Sequence, residues 1–446
     1  MKPSVRPFLE ATEKFRAGAD TPRKFLDRCL ETLDLWEPKI AAFVTLNLDG
    51  ARAAADRSSE RWAAGKPLSP IDGMPVGIKD IIETADMPTE MGSPLMKGWT
   101  SRKDSASVAA LRAAGAIILG KTTTTEFAMS HPFHSTRNPL DLARTPGGSS
   151  SGSAAAVAAG IVTAALGTQV IGSGLRPASY CGAFGYKPSV HGINRTGSHD
   201  PQSQSCTAII AATLADTWQV ACEIVKRAGG DPGYPGIAGP DRLPAAKKPA
   251  RLAFVETAGW PTATEEARRA FGAAMEKIKA AGVEVIDRRS HASIDAVEAD
   301  IADAMAFSLK FSDWEMRWFM HSLAERGIEQ MSQSSRDRFK IAGTMTIEDY
   351  RTALIEREEI RADYNALAST CDGCITLTAS GAAPVGITST GNPAFAVPAS
   401  LWGTPALSLP VLQAEGLPLG LQFIGYADRD AEAFAVSAWL YDLLAK

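Results

Sequence analysis

At 446 residues, with 45% hydrophobic and 22% charged side chains, the chain has a globular composition, long enough for two or three domains or one large α/β unit. Forty-six basic against 50 acidic residues leave a formal charge of −4, and no basic cluster of the kind that grips nucleic acid occurs. No apolar run reaches the length that spans a bilayer, and the first residues lack the apolar centre of a secretion signal. The six cysteines, at 29, 181, 206, 222, 371 and 374, are too scattered for a disulfide framework, so a reduced, cytoplasmic protein engaging neither nucleic acid nor membrane is expected.

Residues 1–65 read as helical, with Phe25, Cys29, Leu30, Leu33 and Trp36 near helical spacing. "GMPVGIKDII" (73–82) suits a short buried strand. "DSASVAALRAAGAIILGKT" (104–122) reads as a helix, a stop at Gly115 and a strand. "SGSAAAVAAG" (151–160) is a small-residue helix, and "IVTAALGTQVIGS" (161–173) a strand running into a glycine turn. The Pro/Gly/Ala stretch 228–249 is a linker or a surface loop. "RLAFV" (251–255), a helix over 264–281 and "VEVID" (283–287) form a βαβ pattern. Residues 291–370 are helical around "WEMRWFMHSL". Within 291–345, Trp314, Trp318 and Phe319 are read as core, with a lid or outer pocket wall as the alternative. "CITLTAS", "TPALSLPVL" and "LGLQFIGYA" return to strands. Strands near both ends around a helical insert imply one large α/β unit.

Three motif matches fail on their context. "GAIILGKT" (115–122) fits a phosphate loop, but its four intervening residues are themselves an apolar strand. "GSSSG" (148–152) fits a nucleophile elbow around Ser150, yet "LDLARTP" is a poor preceding strand and the last histidine is His321. Cys371 and Cys374 lack a second ligand pair for zinc. The histidines show no H-E-x-x-H spacing, so no metal site is argued.

Three segments fit one chemistry. Lys79 lies in apolar "GMPVGIKDII", where burial turns a lysine into a neutral base; reaching solvent or pairing with Asp80 is the plainer alternative. Ser149–Ser151 follow Gly147-Gly148 just before a helix; a serine N-cap accounts for one hydroxyl, not for three. "GTQVIGSGLRPAS" (167–179) ends a strand in Gly172-Ser173-Gly174, a turn able to aim several amides at one point, or a plain strand-to-helix turn.

Together with "EFA", "RNPLDLARTPGGSSSGSAAAVAAG", "YCGAFGYKPS" and "GLPLGLQFIG", these segments resemble the amidase signature family over nearly the whole chain, least over 220–370. The resemblance implies a single α/β domain with a central mixed sheet covered by helices on both faces. On that fold, 1–65 is a helical segment packing on the core, 66–225 carries the triad, 226–370 adds a βαβ unit and a variable helical insert contributing to the pocket, and 371–446 completes the sheet. It also implies a Ser–cis-Ser–Lys triad of Lys79 as base, Ser149 as bridge after a cis Gly148–Ser149 peptide, and Ser173 as nucleophile. The oxyanion donors are then the amides of Val170, Ile171, Gly172 and Ser173. Ala128, Met129 and Ser130 line the acyl pocket, and no metal or cofactor is called for.

Gln169, where many relatives carry aspartate, and Arg176 match a subgroup with a GTQxxGSxxRPA segment. Val170 and Ile171 are bulkier than usual. Ser205 and Ala212 stand where relatives often carry aspartate and arginine, which points to an altered substrate pocket. The expected activity is hydrolysis of an amide, anilide or carbamate (urethane) through an acyl-enzyme, with esterase activity and a homodimer left open. The alternatives are an amidase subunit of a tRNA-dependent amidotransferase and a non-catalytic binding protein on this fold.

Overall fold

A computed structural model describes residues 2–129 and 134–445. The apolar runs of the sequence lie side by side in one sheet. Its strands are β1 (Phe43–Leu46), β2 (Pro75–Lys79), β3 (Ile117–Thr122), β4 (Ala164–Gln169), β5 (Phe184–Lys187), β6 (Cys206–Ala211), β7 (Arg251–Phe254), β8 (Glu284–Ile286), β9 (Cys374–Leu377), β10 (Ala406–Ala414) and β11 (Leu417–Ile424). Their spatial order is β1-β3-β2-β4-β6-β5-β10-β11-β9-β7-β8. β3, β2 and β4 are mutually parallel, as are β9, β7 and β8, and the other neighbours are antiparallel. Helices cover both faces, so the expected single α/β domain with a mixed sheet is what forms. Every residue of β2, β3 and β4 is buried, which is why these strands read as continuous apolar runs rather than alternating ones.

Residues 1–65 are not wholly helical. Helix Pro22–Ile40 stops at left-handed Ala41 (φ 47°), and β1 then pairs antiparallel with β3 before helix Leu48–Ala63 begins. Four residues between two helices are too few to show a period of their own. The "GAIILGKT" stretch is a strand through Lys121, whose buried ammonium donates to Thr89 Oγ1 at 2.7 Å and pairs with Asp80 at 3.0 Å. The stretch after Ala228 is a surface loop, tied down where Trp218 Nε1 donates to the Pro240 carbonyl and the Lys247 amide to that of Ala435. All six cysteines are buried and unpaired. Among the described residues, no helix is long and apolar enough to cross a membrane.

The core reading of 291–345 holds only in part. In helix Ala304–Gly327, Trp314 is buried and stacks on Tyr350, but Trp318 is 70% exposed and Phe319 is half-buried. Its other buried face closes a cavity over the carboxyl ends of β2 and β4. The wholly buried helix Ser151–Ala158 packs on those strands. A Cβ on Gly152 would stand 2.1 Å from the Ala42 carbonyl oxygen, so only glycine lets this helix start so close to the neighbouring chain.

Candidate active site

Lys79 is the last residue of β2 and is fully buried. The register sets Ile78 against Leu166, which brings the lysine beside the end of β4. Its Nζ donates to Ser149 Oγ and to Thr168 Oγ1, both at 2.7 Å. Asp80 points elsewhere and takes Lys121, so the pairing alternative for Lys79 fails. Burial pushes the Lys79 ammonium down to about 7, with the charge of Asp200 pulling weakly the other way. Near neutrality the amine is therefore available uncharged.

The Gly148–Ser149 peptide is cis, as the resemblance implies, and Gly147 before it has φ +83°. Of the three serines, Ser149 alone contacts Lys79. Ser150 Oγ takes the Thr168 amide at 3.3 Å, and Ser151 Oγ donates to the Gly147 carbonyl at 2.8 Å. The N-cap expectation is corrected: Ser150 occupies the cap position of helix Ser151–Ala158 but makes no side-chain cap bond. Its hydroxyl is engaged by β4 instead.

Ser173 sits in the turn after β4, and among the described residues its hydroxyl has no hydrogen-bond partner. Neither do the amides of Val170, Ile171, Gly172 and Ser173 donate to any described acceptor. The turn is held from both sides. Gln169 Oε1 accepts the Gly174 and Leu175 amides at 3.0 and 2.9 Å, capping helix Leu175–Cys181. Arg176 Nη2 donates to the Gly148 carbonyl at 2.7 Å, tying the Ser173 turn to the cis peptide. Its buried Nε and Nη1 have no partner among the described residues.

A cavity of about 440 Å³ opens onto Ser149 and Ser173. Val170, Ile171, Ala128, Met129 and Arg176 line it, and Ala128 adopts φ +59°. Ser130 lies outside the described residues. Ser205 and Ala212 do not line this cavity: Ser205 bonds Asp200, and Ala212 is buried with its amide on the Thr163 carbonyl. The altered-pocket reading of those two positions is therefore set aside. The wall instead takes Met305, Leu309, Asp313, Arg338 and the 389–393 turn, none of which carries a sequence motif. Thr168, the second partner of Lys79, was legible only as the residue before Gln169 in a strand end.

The arrangement sets two hydroxyls and a turn of unspent amides at one cavity with a buried amine behind one of the hydroxyls, which suits acyl transfer. Residues 24–434 match the Amidase family model. The chain belongs to the amidase family. This amidase-family chain is 33% identical over 453 residues to a glutamyl-tRNA(Gln) amidotransferase subunit of Chloroflexus aggregans, covering 92% of this chain and 90% of that relative. It superposes on a crystal structure of an amidase with a TM-score of 0.85 at 27% identity, over 98% of this chain and 100% of the other. On the corresponding glutamyl-tRNA(Gln) amidotransferase subunit of Thermotoga maritima the TM-score is 0.74 at 25% identity, over 98% and 96%. The chain is thus an amidase-family enzyme of carbon–nitrogen bond chemistry.

Proposed function

We propose that this chain hydrolyses the C–N bond of a small amide, anilide or carbamate through a seryl acyl-enzyme. The observation that carries the reading is the 2.7 Å contact of buried Lys79 with Ser149, at a cavity that Ser173 also lines. Neutral Lys79 draws the Ser149 proton as Ser149 takes that of Ser173, and Ser173 Oγ attacks the carbonyl carbon. The amides of Val170, Ile171, Gly172 and Ser173 hold the oxyanion. The lysine proton returns through Ser149 to the leaving nitrogen, and the C–N bond breaks. Water, deprotonated by the same relay, then cleaves the ester and restores Ser173. Ala128 and Met129 line the acyl side, and a cavity of about 440 Å³ suits a small molecule.

The test is a turnover panel of aliphatic amides, anilides, carbamates and ureas with wild type and Ser173→Ala. Loss of turnover by about 10³-fold or more is expected in the variant; full retention would overturn the mechanism. Labelling of Ser173 by a fluorophosphonate separates this reading from a non-catalytic binding protein, which would stay unlabelled.

A second reading, the amidase subunit of a tRNA-dependent amidotransferase, draws on the relative at 33% identity. The higher TM-score on the amidase, 0.85 against 0.74, favours the small-molecule reading. Co-purification with partner subunits and tRNA-dependent ammonia transfer would reverse that preference.

A further inference from the structure

The cavity wall built by helices Ala304–Gly327 and Gln333–Ala342 holds polar groups that the proposed chemistry does not use. Asp313, only 6% exposed, lines the cavity. Its Oδ1 accepts Arg338 Nε at 2.7 Å and ion-pairs with Nη2, while Oδ2 takes no hydrogen bond from any described residue. Arg338 is itself anchored to the wall, with Nη1 donating to the Met129 carbonyl and Nη2 to Ser312 Oγ. Gln202, 2% exposed, lines the same cavity and donates Nε2 to Ser312 Oγ at 3.4 Å; its buried Oε1 has no partner. Asp313 Oδ2 and Gln202 Oε1 thus lack a donor among the described residues, with Ser312 Oγ bonded to Gln202 and to the Arg338 that holds Asp313, and burying an acceptor such as Gln202 Oε1 without a donor is unfavourable.

We propose that Asp313, Gln202 and Ser312 form a subsite for a neutral N–H donor on the non-reacting part of the substrate, such as a terminal carboxamide, ureido or amino-heterocycle group. The subsite rests on the amidohydrolase reading and narrows its substrate class. Neutrality follows from the charges on the wall. Arg338 already balances Asp313, and Arg176 adds an unpaired guanidinium to the same cavity. An ammonium entering there meets net positive charge, whereas an uncharged NH₂ satisfies the acceptors at no such cost.

The probes are 4-nitroanilides whose acyl chains of various lengths end in carboxamide, methyl ketone, carboxylate or ammonium. A second series carries the same end groups on the amine side of N-alkyl acetamides. At the best chain length, wild type is expected to prefer carboxamide over methyl ketone by about ten-fold or more in kcat/KM, expressed mainly in KM. Asp313→Leu loses this preference, and Asp313→Asn keeps part of it. Gln202→Leu, which leaves the Asp313–Arg338 pair intact, lowers it several-fold and covers the case in which Asp313→Leu fails to fold. Equal kcat/KM for carboxamide and methyl ketone, a preference for ammonium or for carboxylate, or a preference surviving both leucine variants overturns the subsite. Ser173-dependent turnover without end-group discrimination sinks the subsite alone; no turnover in any series sinks the hydrolase reading and the subsite with it.

Discussion

Replacing Lys79 by methionine separates the proton from the packing. Folded Lys79 titrates at about 7 against an ordinary 10.5. At about 1.4 kcal/mol per pH unit, that gap costs the folded chain about 5 kcal/mol where both states hold the lysine charged. The lysine is fully buried, so solvent screening does not reduce the figure much. Below about pH 7 both states carry the proton and the cost is present in full. Between about 7 and 10.5 the unfolded state binds the extra proton, so wild-type stability gains up to about 1.4 kcal/mol per unit as pH rises, and above that window the cost is gone. Methionine carries no proton and leaves the Ser149 and Thr168 hydroxyls without their donor, a loss of about 1–3 kcal/mol each that does not vary with pH. The stability of the variant relative to wild type should therefore fall by about 5 kcal/mol across the window. Urea unfolding of both proteins from about pH 6 to 10 measures most of that fall. A difference that stays constant with pH would refute the buried neutral amine. Below that window wild-type kcat/KM should climb with one-proton slope as pH rises and level off above about 7, because only the uncharged amine accepts the serine proton.

Gln169→Leu strips the cap from the Gly174 and Leu175 amides, so about 1–3 kcal/mol of stability and a larger share of kcat than of KM should go, read by thermal unfolding and kinetics. Gly152→Ala, whose new methyl meets the Ala42 carbonyl, should cost about 1–3 kcal/mol or more, while Gly272→Ala, in a helix with open space around it, should stabilise by about 0.4–1 kcal/mol. Equal melting temperatures for that pair would contradict the close approach. Lys121→Met leaves Asp80 buried and unpaired, at about 3–5 kcal/mol near neutral pH. Burial already pushes Asp80 up to about 6 against the pull of Lys121, so the penalty should shrink in acid as the carboxyl takes a proton; denaturation at two pH values checks the sign.

The groups proposed to react were legible because each sits in a short contiguous motif whose residue types are unusual for their surroundings. A lysine in an apolar strand and serines after paired glycines stand out without knowledge of the fold, and the structure brings Ser149 and Ser173 to one cavity with Lys79 buried behind Ser149. What a hydroxyl bonds was not legible. Whether a serine caps a helix depends on a turn of backbone, and here Ser151 reaches back to the Gly147 carbonyl instead. β1 escaped notice because its pairing with β3 is a long-range event. So did β5, where Gly185 breaks the apolar run between Phe184 and Tyr186. Asp313, Arg338 and Gln202 come together from separate segments, and nothing in their local sequence announces the meeting.

The sheet order has a further consequence for how such a site can diversify. Every group assigned to bond making or proton transfer comes from residues 79–173, off β2, β4 and the loops beside them. Much of the cavity wall comes from a different part of the chain, at 305–341 and 389–393. One stretch can be exchanged while the other is kept. The reactive half behaves as a fixed engine, and the helical half as a changeable mould pressed over it.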